Sequence, residues 1–189
     1  LAALGTVDWL NWMYLGIVQG FAQGFSVLMA QKFGEGDEKG LKHAVGNSAR
    51  LSIYIGCITL VLGQLCLPTF LNLLRVPYAL RPMAGHYSRI IMLGIPASML
   101  FNFAAGTLRA VGDSRTPLYS VAIASVTNIV LDCVTVFVLD WGITGAAVAT
   151  VFSQCLSSVI CTTKIYRSQI VRFNRMHMKR NVNLTKRLM

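Results

Sequence analysis

Asp132 is an acid where an acid is expensive. The stretch 119–139 is built of Val, Ile, Ala, Leu and Phe with no Lys or Arg, and it is long enough to cross ~30 Å of hydrocarbon. Along it Ser125, Asn128, Asp132 and Thr135 recur at i, i+3, i+7 and i+10, which is one face of a helix. A short polar break, Asp140-Trp141-Gly142, precedes a second apolar run from Ile143, on which Thr150, Gln154 and Ser157 share a face. If the two helices are antiparallel about Trp141, Asp132 lies nine residues before the turn and Thr150 nine after it. At ~1.5 Å of rise per residue both then sit at one depth. The chemistry such a cluster supports is reversible charge. Protonated, the acid is a neutral donor; deprotonated, it holds a cation with a carboxamide and a hydroxyl as further oxygen ligands. An ionisable group inside a membrane is a functional candidate for that reason.

The rest of the chain supplies the membrane. Of 189 residues, 54% are hydrophobic and 13% charged, where a soluble domain carries about 25% charged residues. Several continuous apolar runs of spanning length predict an all-α, polytopic transmembrane helix bundle. Continuous rather than alternating runs argue against an outer-membrane barrel. Five spans are expected, at about 9–33, 51–71, 87–108, 118–139 and 143–165. The chain opens at Leu1 with no basic n-region or cleavage site, which reads as a fragment rather than a signal peptide. The five cysteines, Cys57, Cys66, Cys133, Cys155 and Cys161, all fall in apolar runs without metal-ligand spacing and read as small fillers. No metal site is expected.

The net charge of +10 invites a nucleic-acid reading, but its distribution contradicts one. Fourteen of the 17 Lys and Arg residues lie in 32–50, in 109–117 and in the tail from Lys164; the other three are Arg75, Arg81 and Arg89. By the positive-inside rule this predicts cytoplasmic loops at 34–50 and 109–117, a basic cytoplasmic linker at 167–189 attracted to anionic headgroups, and an outside N-terminus. An odd number of spans beginning outside also predicts a missing upstream span.

Between the spans, glycines and prolines mark the breaks. Gly16, Gly20 and Gly24 form a small-residue ridge for close helix approach, beside a polar stripe of Gln19, Gln23 and Ser26 that is either interhelical glue or cavity lining. Gly34 and Gly36 allow a tight exit and Asp37 suits an N-cap for a helix from about Glu38. The second span is expected to bend or end near Pro68, and the third to kink at Gly94-Ile95-Pro96, with Asn102 further in. His86 reads as an interfacial residue. Gly112-Asp113 reads as a turn and Pro117 as a first-turn proline.

At these residues the chain resembles the multidrug and toxic compound extrusion (MATE) family. The matching motifs are Ala30-Gln31-x-x-Gly34-x-Gly36-Asp37, Tyr87-x-Arg89 with Gly94-x-Pro96, and Leu108-Arg109-Ala110-x-Gly112-Asp113-x-x-Thr116-Pro117. Asn128-x-x-Leu131-Asp132 and Gly142-x-x-Gly145-x-Ala147-x-Ala149-Thr150 follow in order. The resemblance covers about 1–166. It implies helices two to six of a twelve-helix, two-lobe transporter, so that the first helix and the C-terminal lobe would be partners of this partial N-terminal lobe. It further implies an antiporter of the inner membrane that exports organic cations or other amphipathic small molecules in exchange for protons or sodium ions, with no other cofactor. Asn128, Asp132 and Thr150 map onto the family's N-lobe cation site, whose acidic residue on helix one has no counterpart here; Asp8 is expected in the outer loop. Gln19, Gln23, Asn102 and Gln154 are candidate cavity lining.

Three other functions fit the sequence less well. A lipid-linked saccharide flippase shares the topology but should line its cavity with cations for pyrophosphate, and no Lys or Arg sits mid-span. A membrane-embedded enzyme needs a catalytic pair or metal set such as HExxH, which the sequence lacks. A non-transporting receptor or assembly module is disfavoured by the inward polar stripe.

Overall fold

The computed structural model describes residues 2–74 and 76–168; the expected linker 167–189 therefore lies almost wholly outside the described residues. Six α-helices follow one another: α1 (Ala2–Gly34), α2 (Glu38–Leu73), α3 (Arg81–Leu93), α4 (Ile95–Ala110), α5 (Arg115–Asp132) and α6 (Gly142–Arg167). A 3-10 turn at Tyr78–Leu80 leads into α3, and a π-helical segment, Cys133–Val138, continues α5. Among the described residues there is no strand. Five helical stretches are long and apolar enough to cross a membrane, α3 and α4 together forming the third of them.

Two of the turns are one device used twice. After α1, Gly36 adopts φ +68, its N–H reaches Phe33 O (3.1 Å) and the Asp37 N–H reaches Lys32 O (3.1 Å). After α4, Gly112 adopts φ +89, its N–H reaches Arg109 O (3.1 Å) and the Asp113 N–H reaches Leu108 O (2.8 Å). This is the Schellman pattern, in which a left-handed glycine satisfies the last carbonyls of a helix. The aspartate that follows then starts the next helix. Asp37 Oδ1 accepts the Gly40 N–H at 2.8 Å; Asp113 accepts the Thr116 N–H at 3.0 Å and the Thr116 hydroxyl at 2.7 Å. These bonds hold both carboxyls below their ordinary range, the Gly40 N–H being the chief cause at Asp37 and the Thr116 N–H at Asp113.

α4 is the centre of the bundle, packed by α1, α2 and α6. Its buried Met99, Phe103 and Leu108 meet Val18, Phe25 and Met29 of α1 and Leu41 and Val45 of α2 in one core cluster. In a bilayer such contacts are selected by van der Waals fit rather than by exclusion of water. Close approach therefore matters: at Gly56 a Cβ would lie 3.1 Å from the Pro96 Cα, so α2 crosses α4 nearly backbone to backbone. The outward faces are mostly apolar, as lipid requires. α5 is the extreme case, with Leu118, Tyr119, Val126 and Ile129 all exposed.

Several boundaries differ from the expected ones. α2 does not end at Pro68 but runs on to Leu73; that close to a C-terminus, proline forfeits one bond, to the Gln64 carbonyl, without splitting the helix. The third span begins at Tyr78 rather than near Tyr87, because Arg81, Pro82 and His86 interrupt the apolar run without interrupting the helix. Asp8 lies within α1, not in a loop before it. The kink is where the motif places it, Gly94 separating α3 from α4. Of the cysteines only Cys161 is buried and the other four are exposed, so the reading as fillers fits Cys161 alone.

Candidate functional site

Several hydroxyls of the spans bond back onto their own helices. Thr107 donates to Phe103 O, Thr135 to Leu131 O, Thr150 to Ala146 O and Ser153 to Ala149 O, all at 2.8–2.9 Å. A side chain bonding back onto its own helix is the usual solution where no water competes. Other buried polar atoms have no partner, among them the Ser48, Ser52 and Thr162 hydroxyls. The Asn128 Nδ2, the Asp132 Oδ1 and the Gln154 Oε1 are all buried and have no hydrogen-bond partner. Within the polar stripe seen in the sequence, Thr135, Thr150 and Ser157 are thus satisfied, whereas Asn128, Asp132 and Gln154 each keep a buried atom without a partner, two of them one turn apart on α5.

The position of Asp132 is set by the α5–α6 hairpin. Ser120 Oγ lies 3.1 Å from Cys161 Sγ, and a Cβ on Gly145 would lie 2.7 Å from Thr135 Cβ and Oγ1. The midpoints of those pairs, 140.5 and 140, fix the register of the two antiparallel helices. Asp132 is level with Val148 or Ala149, and Thr150 is one or two residues away, about 1.5–3 Å in depth. The equal-depth expectation for Asp132 and Thr150 is met to within that offset. Immediately after Asp132 the helix widens. The Leu139 N–H bonds to Val134 O, five residues back, at 2.9 Å, and the Trp141 N–H caps Thr135 O at 2.9 Å. Single π turns inside α-helices recur at functional sites.

The other candidates are dispersed. Gln19 and Gln23 are exposed on α1, on the outward side that also carries Gly16, Gly20 and Gly24, and the described helices close no cavity over them. A Cβ at any of those glycines would meet nothing within 4 Å, so among the described residues no helix uses that ridge. Asn102 is half-buried and spends its Nδ2 on Ser98 O at 2.8 Å. Gln154 is brought to the kink of the third span, where its carboxamide occupies the space a Cβ on Gly94 would need. There it lines a cavity of about 40 Å³ with Tyr14 and Ser98. Tyr14 is buried and its hydroxyl has no partner. Sequence reasoning missed it, because an isolated tyrosine in an apolar run carries no periodic signal. Among the described residues no cluster of His, Cys, Asp and Glu could hold a metal ion.

The MatE family model matches residues 1–134. The chain belongs to that family. A second model, lipid II flippase MurJ, matches residues 83–186. Among relatives, the chain is 31% identical over 164 residues to the probable multidrug resistance protein YpnP of Bacillus subtilis (strain 168), covering 85% of this chain and 36% of that protein. It is 28% identical over 164 residues to the probable multidrug resistance protein YoeA of the same organism, covering 85% and 35%. The chain thus spans about a third of the length of these relatives. A solved outward-facing structure of a multidrug resistance MATE family transporter of the MOP superfamily superposes with a TM-score of 0.92 at 23% identity, covering all of this chain and 42% of that one. That likeness establishes the fold. It makes the five spans part of a MATE-type helix bundle and the protein an integral, multi-pass membrane protein.

Proposed function

We propose that this MatE chain contributes the cation-coupling part of an exporter of small organic, chiefly cationic, compounds. The observation that carries the reading is the Asp132 Oδ1, buried and unpartnered on a helix of spanning length. A carboxylate costs a few kcal/mol there on insertion scales, and no fold contact offsets that cost. Asn128 stands one turn before it with a free amide, and Thr150 lies across the hairpin at nearly the same depth. In the exchange, Asp132 gives up a proton and its carboxylate accepts a cation, with Asn128 Oδ1 and the Thr150 hydroxyl oxygen as further ligands; proton binding then expels the cation. Protons and sodium ions are the two coupling ions this chemistry admits. Gln19, Gln23, Asn102 and Gln154 are the further polar groups available to a substrate path. The stretch 34–50, which is a short turn followed by the first turns of α2 rather than the expected loop, and the turn 109–117 face the cytoplasm across the inner membrane in this reading, in line with their basic content.

The flippase alternative rests on the MurJ match. Against it, the α5–α6 hairpin carries no Lys or Arg between Arg115 and Lys164, leaving nothing cationic there to hold a pyrophosphate. The deciding experiment reconstitutes the complete natural polypeptide in vesicles and follows a fluorescent organic cation under imposed proton or sodium gradients. Gradient-driven movement is expected. Its absence, with transport of a lipid-linked saccharide instead, would replace this reading by the flippase. The orientation has its own check: a cysteine at Glu38 should resist impermeant thiol reagents in intact cells and one at Ala79 should react, in a protein cleared of native cysteines.

A further inference from the structure

The end of the bundle opposite the Gly-Asp turns holds a groove that the transport reading does not use. It is an open cavity of about 500 Å³ between the last turns of α2 and the first half of α3. Leu67, Pro68 and Leu71 form an apolar wall, and Asn72, Arg81, His86 and Arg89 a polar one. No residue of α5 or α6 lines it.

Among the described residues no acid lines it. From residue 39 to residue 112 the sequence contains no Asp or Glu, and the ion pairs among the described residues all lie at the other end, around Lys32 and Lys42. Arg81 is fixed in place: its Nε donates to Val76 O at 2.8 Å, its Nη1 to Asn72 Oδ1 at 2.5 Å, and its guanidinium stacks 3.9 Å from the Tyr78 ring centre. A guanidinium has five N–H donors, so this anchoring leaves the others available. The side chains of Arg89 and His86 make no hydrogen bond or ion pair among the described residues. An oriented arginine beside a second, unpaired one is the arrangement that suits a phosphate, which accepts forked, charge-assisted bonds.

Depth selects the source of that phosphate. The third span runs from Tyr78 to Ala110. At ~1.5 Å per residue Arg89 is about 30 Å from its Ala110 end, at the far edge of the hydrocarbon, and Arg81 about 12 Å beyond, among headgroups. The apolar wall of Leu67, Pro68 and Leu71 descends from there toward the hydrocarbon, where the exposed Leu65 of the same helix offers a path for an acyl chain.

We propose that this groove binds the phosphate of an anionic phospholipid in the leaflet opposite the 109–117 loop. The test is native mass spectrometry of the delipidated complete polypeptide titrated with phosphatidylglycerol, phosphatidylcholine or glycerol 3-phosphate. Phosphatidylglycerol should be retained at least tenfold more tightly than phosphatidylcholine. Arg89→Gln should lower its affinity about tenfold, in keeping with the loss of one hydrogen bond to a charged group, while Arg89→Lys should keep most of it. Both side chains at 86 and 89 are exposed, so the fold tolerates their replacement, and His86→Gln gives a second arm with a smaller loss. Equal retention of the two lipids, or an Arg89→Gln protein that binds like the wild type, overturns the proposal. Glycerol 3-phosphate binding as tightly as the lipid would assign the groove to a soluble phosphate and overturn the lipid assignment.

Discussion

The two ends of α5 each carry an aspartate, and the two are treated in opposite ways. Asp113, just before the helix, has both carboxylate oxygens occupied by Thr116, one by its N–H and one by its hydroxyl. Asp132, the last residue of the helix, has an oxygen buried with no partner. The first is explained by the fold: it starts a helix and its charge is spent on doing so. The second is not, because a buried acceptor left unmade costs about 1–3 kcal/mol, more when charged, and nothing in the packing needs it. The lesson is that partnering, rather than residue type or burial, separates an aspartate that shapes the helix from one that the fold does not account for.

The strongest way to break that contrast is Asp132→Asn. It keeps shape and hydrogen bonding and fixes the charge at zero. In the complete natural polypeptide at matched protein levels, gradient-driven efflux should fall by at least about tenfold, the effect of ~1.4 kcal/mol, with insertion unchanged. Transport at the wild-type rate would make Asp132 helix glue of an unusual kind. Next in size is Gly145→Ala, which acts on the scaffold under the site. A Cβ there would sit 2.7 Å from Thr135 Cβ and 3.1 Å from the Thr135 carbonyl carbon, so the hairpin must splay at the π segment. Overpacking of this kind costs about 1–3 kcal/mol, and a lowered melting temperature in detergent together with weakened coupling is expected.

Asp113→Asn probes the other end and should be a stability variant only, losing about 1 kcal/mol as capping aspartates do. Its pH dependence has a definite sign. The Thr116 bonds hold the Asp113 carboxyl below its ordinary 3.8, so the unfolded chain binds more protons and stability rises with pH. The contribution is complete above the ordinary carboxylate range and is lost as pH falls through the lowered folded value. Wild type and Asp113→Asn should therefore converge in melting temperature under acid and diverge near neutrality; a difference that persists at the acid limit would mean the carboxylate is not the stabilising group.

The legibility of the chain follows the same division between local and distant causes. The Gly-Asp turns were readable because every bond in them is made within five residues, and the spans because lipid imposes apolar length on a single segment. Asn128 and Asp132 shared a face by spacing alone. The start of the third span at Tyr78 was hidden because Arg81, Pro82 and His86 break an apolar run that the headgroup layer does not require. Tyr14 meeting Gln154 at Gly94 was hidden because three helices that are remote in sequence create the contact. The π turn after Asp132 has no residue signature in Cys133–Val138. The exposed setting of Gln19 and Gln23 could not be foreseen either, since a polar stripe reads alike whether it faces inward or outward.

The smallest effect sharpens the comparison most. Asp140 lies eight residues beyond Asp132, exposed in the turn, in a left-handed conformation at φ +53. Asparagine adopts that conformation as readily as aspartate does, and an exposed charge in a turn contributes little to stability, within about 0.5 kcal/mol on substitution. Asp140→Asn should therefore leave both melting temperature and efflux at wild-type levels. The pair Asp132→Asn and Asp140→Asn removes the same charge from the same end of the same hairpin, about 12 Å apart along the helix axis at ~1.5 Å per residue. If both variants lose transport, a diffuse negative potential at that end of the bundle is what matters and the buried carboxylate has no special standing. If only Asp132→Asn does, the activity resides in the acid whose buried oxygen the fold leaves without a partner.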